Sequence, residues 1–256
     1  MDQPDHPVSS LALSEALATN GWLTVDSILS PSQVETARLA LDELFESEAD
    51  IADDRGWHNE IYRVSYAIIA KHPALFEIAL RPKVVALARD LIGTDCVLAS
   101  ANGIDIMANS TGQRLHRDHR ETTPGRTLYL HIVCALDSFR TETGATLVVN
   151  ASHRQPLAER SPDEISASEK TLRVEVAPGA AVVFDGCVVH GAGPNSTSER
   201  RRALHLFFAK PWVQPHWDFP AMFAHRESEL TDDQRQLLGF NSRPRRFNIK
   251  ERIIES

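Results

Sequence analysis

The sequence predicts an α+β chain, mainly β, folded as one domain with its helices early and its strands late. Three observations carry that reading. A chain of 256 residues is an ordinary length for a single domain with a sizeable core. Before residue 95, apolar residues recur at helical spacing between capping signals. From Val97 onward the apolar period shortens to that of strands, and Pro and Gly punctuate it at intervals that suit a sandwich or barrel.

Taken in order, Ser30-Pro31-Ser32-Gln33 supplies an N-cap, a proline at the first helical position and a glutamine three residues after the cap. A helix is expected from there to about Phe45. Glu46 to Asn59 is acidic and is expected as a mobile surface loop, with Trp57 and Tyr62 as lid candidates or as ordinary packing. Ala74 to Leu91 carries apolar residues at helical spacing and ends at Gly93, and Pro82 is expected to kink or divide it. These helices, mainly within 10–95, are expected to buttress a strand core at about 97–212, followed by an extension over 213–256. Thr127 to Leu136, Thr146 to Asn150, Leu172 to Val176 and Ala180 to Phe184 read as strands. Ala158 to Lys170, rich in Glu and Ser and interrupted by Pro162, reads as an insertion that covers the mouth of the core or lies on the surface.

Composition excludes some classes. A net charge of -8 and a pI near 5.8 argue against nucleic acid as a partner, since phosphate binding needs clustered Lys and Arg. The one basic cluster, Arg243, Arg245, Arg246, Lys250 and Arg252, reads as a solvated surface. Cys96, Cys134 and Cys187 lie in apolar runs and cannot all pair, so buried thiols in a reducing compartment are expected. Met1 to His6 is polar, without the apolar core of a secretory signal, and no stretch reaches the roughly 20 apolar residues of a membrane span. A cytoplasmic protein acting on a small molecule, with neither membrane nor nucleic acid as partner, is the resulting expectation.

The chemistry gathers at His116-Arg117-Asp118, His190 and Arg201. In a strand, residues i and i+2 point to one face, so His116 and Asp118 converge. The triplet alone is weak, because His216-Trp217-Asp218, His58/Glu60, His119/Glu121 and His225/Glu227 share the spacing. Context separates them: Ile104 to Asn109 reads as a strand, Ser110-Thr111-Gly112 as a turn, and Gln113 to His116 as a second extended segment. His190 ends an apolar strand, and a Gly/Pro/Ser loop leads to Arg200-Arg201-Arg202 at the start of another. An 11-residue separation across that hairpin lets His190 and Arg201 face one cavity. His205 shares the face of Arg201 and reads as packed and hydrogen-bonded or as a residue behind the site.

Three segments together resemble the phytanoyl-CoA dioxygenase family: Gln113 to Asp118, Thr143 to His153, and His190 to Asn195 with Arg201. The resemblance extends to Gly21-Trp22-Leu23-Thr24-Val25 with the helix after it, and to Glu229 to Phe240. It implies a double-stranded β-helix barrel, of the jelly-roll or cupin kind, and an Fe(II)- and 2-oxoglutarate-dependent dioxygenase. His116, Asp118 and His190 are then the metal ligands and catalytic residues, and Arg201, Gln113 and Thr146 bind the cosubstrate. Tyr129, His131 and Trp57 are substrate candidates, and Arg117 points away from the metal. Two positions depart from the family: Asn150-Ala151-Ser152-His153 stands where Pro-Gly-Ser-His is frequent, and Ala192 where a serine is common.

The residue types suit that chemistry. Two neutral imidazoles and a carboxylate occupy one face of an octahedral iron and leave three positions for 2-oxoglutarate and O2. The far carboxylate of 2-oxoglutarate needs a fixed cation, and arginine keeps its charge and presents paired donors. The implied reaction hydroxylates a small organic molecule and releases succinate and CO2, while desaturation, cyclisation or epimerisation start from the same hydrogen removal. Two other readings use the same barrel: a cupin-like metalloenzyme without 2-oxoglutarate, which has no need of Arg201, and a noncatalytic binding barrel.

Overall fold

The computed structural model describes residues 10–119, 125–155, 161–168, 170–243, 246–248, 250 and 253–255. Helix α1 (Ser10–Asn20) and strand β1 (Trp22–Val25) come first. Helix α2 (Pro31–Ser47) starts as the sequence dictates. Ser30 Oγ accepts from the Gln33 N–H at 3.3 Å and Gln33 Oε1 accepts from the Ser30 N–H at 2.8 Å. The acidic stretch after Phe45 is not a loop at its start: α2 continues to Ser47 and α3 (Ala49–Ala52) follows. Glu and Ala are good helix formers, so acidity there marks a solvated helical face. Strand β2 (Tyr62–Ser65) precedes α4 (Pro73–Ala79) and α5 (Pro82–Ile92). Pro82 does divide the helical stretch, and α5 ends where the Gly93 N–H donates to Arg89 O at 2.8 Å.

The strands follow: β3 (Val97–Ile106), β4 (Tyr129–Ala135), β5 (Thr146–Val149), β6 (Thr171–Val174), β7 (Ala181–Asp185), β8 (His190–Ala192) and β9 (Arg201–Ala209). All pair antiparallel, in a six-stranded sheet ordered β1-β7-β4-β9-β3-β2 and a three-stranded sheet ordered β6-β5-β8. Of the insertion expected at Ala158 to Lys170, Pro162–Ser168 forms a short helix, α6. Ala158–Arg160 and Glu169 lie outside the described residues, as do Met1 to His6, Glu121, Arg245 and Arg252. Arg243 pairs with Asp218 at 2.9 Å. Among the described residues no helix is long and apolar enough to cross a membrane.

Strand alternation divides the interior into two cores. Leu130, Ile132 and Cys134 of β4 and Leu204, Leu206 and Phe208 of β9 face the helices, in a cluster that includes Leu17, Leu41, Leu75 and Val84. Their neighbours Val133, Ala135 and Ala203 face the small sheet, where Val148 and Val174 meet Val182 and Phe184. The result is three layers: helices, large sheet, small sheet. All three cysteines are buried and none is in a disulfide, and burial pushes the thiols up, to about 11 for Cys96 and about 12 for Cys134 and Cys187.

Gly103 sets the distance between the first two layers. A Cβ there would lie 2.1 Å from Cδ1 of Leu41, which is fully buried. Only glycine lets α2 approach β3 so closely. Behind the strand ends, Asp105 accepts from Arg63 at 3.0 Å, from Arg200 at 2.8 Å and from the Arg201 N–H at 3.2 Å. Arg202 is held by Asp137 at 2.9 Å and Asp42 at 2.8 Å. Arg200 and Arg202 are thus bound on the side of the sheet away from Arg201, as alternation requires.

Candidate metal centre and cosubstrate pocket

A turn at Gly112 brings the first half of the site against the second. Gly112 has φ +79°, and a Cβ would lie 2.7 Å from Ala192 O and from the backbone of Gly193 and Pro194. The segment after it runs beside β8: the Gln113 N–H donates to Ala192 O at 2.8 Å, and the Ala192 N–H donates to Gln113 Oε1 at 3.1 Å. His116 and His190 then face each other as an antiparallel bridge, exchanging N–H···O bonds of 2.8 and 2.9 Å. Their rings stand 4.6 Å apart between centroids.

Each imidazole is fixed by its own backbone. His116 Nδ1 lies 2.9 Å from Arg114 O and His190 Nδ1 lies 3.0 Å from Val188 O. A carbonyl accepts only, so Nδ1 carries the hydrogen in both rings and Nε2 presents a lone pair. Asp118 Oδ1 is 3.6 Å from His116 Nε2, and Oδ2 is 3.6 Å from His190 Nε2. One ligand atom from each residue lies within 4.8 Å of the others, a spacing that one metal ion spans. Burial lowers His190 to about 4 despite the opposing pull of Asp118, so the ring stays neutral. Burial raises the Asp118 carboxyl, but His190, His131 and His116 more than offset this and hold it well below the ordinary carboxylate range.

His131 reaches the same point from β4. Its Nε2 lies 3.0 Å from Asp118 Oδ2, and its ring stacks on Phe184 at 4.9 Å. Arg117, between the ligands, donates to Ser152 O and is buried away from the cavity.

Arg201 opens β9 and is 2% exposed. Its guanidinium lies 3.5 Å over the Phe139 ring, and Nη2 donates to Thr146 Oγ1 at 3.0 Å. No other side-chain bond holds it among the described residues, and its Nε has no partner. Burial lowers it to about 9, with Asp105 and Asp137 opposing, so it remains a cation at neutral pH. Thr146 is opposite Ala192 across β5 and β8, which puts a hydroxyl beside that residue.

Between the sheets lies a cavity of about 190 Å³. His116, Asp118, His190, Arg201, Gln113, Thr146 and His131 line it. Tyr129 and Trp57 do not: Tyr129 stacks on His119 at 3.7 Å, and Trp57 packs edge-on against Tyr66 at 5.5 Å. Sequence reading did not single out Ser100, Asn102, Phe207 and His216 for the site, and placed His205 only on the face of Arg201. A signal existed for Ser100 and Asn102, since they alternate along β3 on the cavity side. His216 brings its ring to the cavity while Asp218 caps a turn of helix by accepting from the Ala221 N–H at 3.0 Å.

An antiparallel α+β fold thus presents two tautomer-fixed imidazoles, one carboxylate and a buried arginine to a single cavity, and the first three are spaced as a group that could hold a metal ion. The profile of the phytanoyl-CoA dioxygenase (PhyH) family matches residues 17–203, and the chain belongs to that family. It is an oxidoreductase. The multifunctional dioxygenase prhA of Penicillium brasilianum is 26% identical over 89% of this chain and 81% of its own length. Among solved structures, the non-haem α-ketoglutarate-dependent carbocyclase SnoK from nogalamycin biosynthesis superposes with a TM-score of 0.69 at 19% identity, covering 88% of this chain and 92% of its own. The epimerase SnoN in complex with Fe3+, α-ketoglutarate and nogalamycin RO gives 0.69 at 20% identity, covering 79% and 84%.

Proposed function

We propose that this chain is an Fe(II)- and 2-oxoglutarate-dependent dioxygenase that hydroxylates a small organic molecule. His116, Asp118 and His190 hold the metal, while Arg201, Thr146 and Gln113 hold the cosubstrate. The strands at about 97–212 form a double-stranded β-helix barrel within a single domain. The observation that carries the reading is Arg201. A buried cation with an unpartnered Nε and only a neutral hydroxyl on its side chain needs an anion, and it faces the same cavity as the triad. The donor set fits iron, since two neutral imidazoles and one carboxylate leave positions open for a chelating ligand and O2.

With iron bound, oxidative decarboxylation of 2-oxoglutarate would supply an oxidant able to remove hydrogen from carbon, releasing succinate and CO2. The chain's own residues orient and exclude. The Arg114 and Val188 carbonyls fix the two ligand rings, and Phe139 and Thr146 pin the guanidinium of Arg201 so that little ordering remains when a carboxylate arrives. His131 limits the swing of Asp118.

The test couples two measurements. Adding 2-oxoglutarate to the anaerobic Fe(II) protein should give a weak visible charge-transfer band, and Arg201→Ala should weaken it. With O2, succinate should appear and candidate substrates should gain one oxygen by mass. A full band and unchanged succinate release in Arg201→Ala would point to a metalloenzyme that does not use this cosubstrate. Retained iron binding in His116→Ala and Asp118→Ala would remove the metal centre from its assigned place.

A further inference from the structure

The wall of the cavity changes character along its length. Strands β3 and β9 are paired so that Ile106 stands opposite Arg201, Asn102 opposite His205 and Ser100 opposite Phe207. At the Arg201 end the wall carries a cation. At the other end β3 and β9 carry Ser100, Asn102, His205 and Phe207, and the Phe207 ring lies 4.6 Å from that of His131, which pairs with Asp118. A bulge between Leu98 and Ser100 shapes that end, and the Ala99 carbonyl it exposes accepts from the His216 N–H at 2.9 Å. The bond brings the His216 ring beside Phe207, stacked at 5.0 Å and 21°.

Two buried polar atoms there have no hydrogen-bond partner: Ser100 Oγ, on a residue 2% exposed, and His205 Nε2. A buried hydroxyl or imidazole nitrogen left unpaired in a cavity wall is a site for a ligand atom. Ser100 and His205 are diagonal neighbours across β3 and β9, about 7–8 Å apart at the backbone, so their side chains reach a common occupant. Burial keeps the His205 imidazole neutral, its conversion to imidazolium being pushed well below the ordinary range. Among the described residues, no lysine or arginine besides Arg201 lines the cavity. A carboxylate or phosphate bonded to Ser100 and His205 would meet no lysine or arginine there among the described residues.

We propose that the end of the cavity away from Arg201 is the subsite for the molecule to be oxidised. It takes the neutral, ring-bearing part of an alcohol or ketone, whose oxygen bonds to Ser100 and His205 and whose ring lies against Phe207 and His216. That the bound molecule is the substrate rests on the dioxygenase reading given above.

The probes are cyclohexanol, cyclohexanone, methylcyclohexane and cyclohexanecarboxylate. Their binding is read by saturation-transfer NMR on the full chain, with and without Fe(II) and 2-oxoglutarate under anaerobic conditions. The alcohol and ketone should bind at least fivefold more tightly than the hydrocarbon and the carboxylate, and iron should broaden their signals. Ser100→Ala and His205→Leu should each weaken the alcohol about fivefold, the loss of one neutral hydrogen bond, and His205→Gln should recover part of it. The 2-oxoglutarate affinity of these variants, read from the visible band, should stay within twofold. Carboxylate binding equal to that of the alcohol, unchanged alcohol binding in both variants, or no probe binding at all would overturn the proposal. Loss of 2-oxoglutarate affinity in His205→Leu would overturn it as well, by moving His205 to the cosubstrate. A wild-type protein that binds the alcohol but develops no band with 2-oxoglutarate would sink the dioxygenase reading and leave the neutral subsite standing.

Discussion

Arg201 holds its place against its own electrostatics. Removing a guanidinium from water is unfavourable, and the fall to about 9 records that burial outweighs the help of Asp105 and Asp137. In the ligand-free protein, Arg201→Met should therefore leave the melting temperature unchanged or raise it, because Met fills similar space above Phe139 without a charge. With Fe(II) present, 2-oxoglutarate at a hundred times its Kd should stabilise the wild type by about 2.7 kcal/mol and Arg201→Met by almost nothing. Thermal shift with and without cosubstrate measures both effects, and a full shift in the variant would remove Arg201 from cosubstrate binding. In the sequence, strand parity sets Arg201 apart from Arg200 and Arg202, and the family resemblance selects it among the three. Asn102 and His205 were not legible as neighbours, since their register joins positions more than 100 residues apart. Trp57 and Tyr129 illustrate the converse: an aromatic residue near a predicted loop or strand end carries no sign of whether it meets a cavity or another ring.

At the scale of elements, two glycines fix distances that no side chain fixes. Gly112 combines a left-handed φ with backbone 2.7 Å from its missing Cβ. Gly112→Ala adds about 1–2 kcal/mol of conformational strain and forces apart the segment holding His116 from the strand holding His190. Iron affinity, followed by titration, should fall about tenfold or more, with the helix-facing core intact and a fall of about 2–8 °C in melting temperature from the strain. Unaltered iron affinity would show that the turn does not set the separation of the ligands. Gly103 acts between layers, and its replacement by Ala pushes Cβ into Leu41 in a core that cannot yield. A loss of about 1–3 kcal/mol should appear as a fall of about 2–12 °C in melting temperature. Leu41→Ala in the same chain should give a double variant less destabilised than the sum of the two single changes. Helix starts were readable because caps and prolines are local signals, as at Ser30 and Pro82. The continuation past Phe45 and the edge strand β2 were not, because one depends on a solvated face tolerating charge and the other on pairing with β3.

Several histidines of the molecule, His190, His119 and His205 among them, have rings withdrawn from water, and that placement shapes how its stability responds to acid. Burial holds His190 and His119 at about 4 and His205 well below 6.5, while the same rings in the unfolded chain take up a proton near 6.5. Between those limits the unfolded state binds more protons than the folded state, so stability rises with pH there and falls as pH drops. Above about 6.5 both states hold neutral imidazoles and no dependence arises. The penalty grows as pH falls from about 6.5 toward 4, on the order of 3 kcal/mol from His190 alone at 1.36 kcal/mol per unit. Carboxylates held low, such as Asp118 and Asp137 beside Arg202, act in a separate window, contributing above 3.8 and losing that contribution only in stronger acid. Urea denaturation of the metal-free protein should therefore show equal stability at pH 8 and 7 and a steep loss between pH 6.5 and 4.5. His190→Gln, which cannot titrate, should flatten part of that loss. A wild-type profile level down to pH 5 would mean that these imidazoles are hydrated, and with it the burial of His190 and His205 on which the cosubstrate and substrate assignments depend would fall.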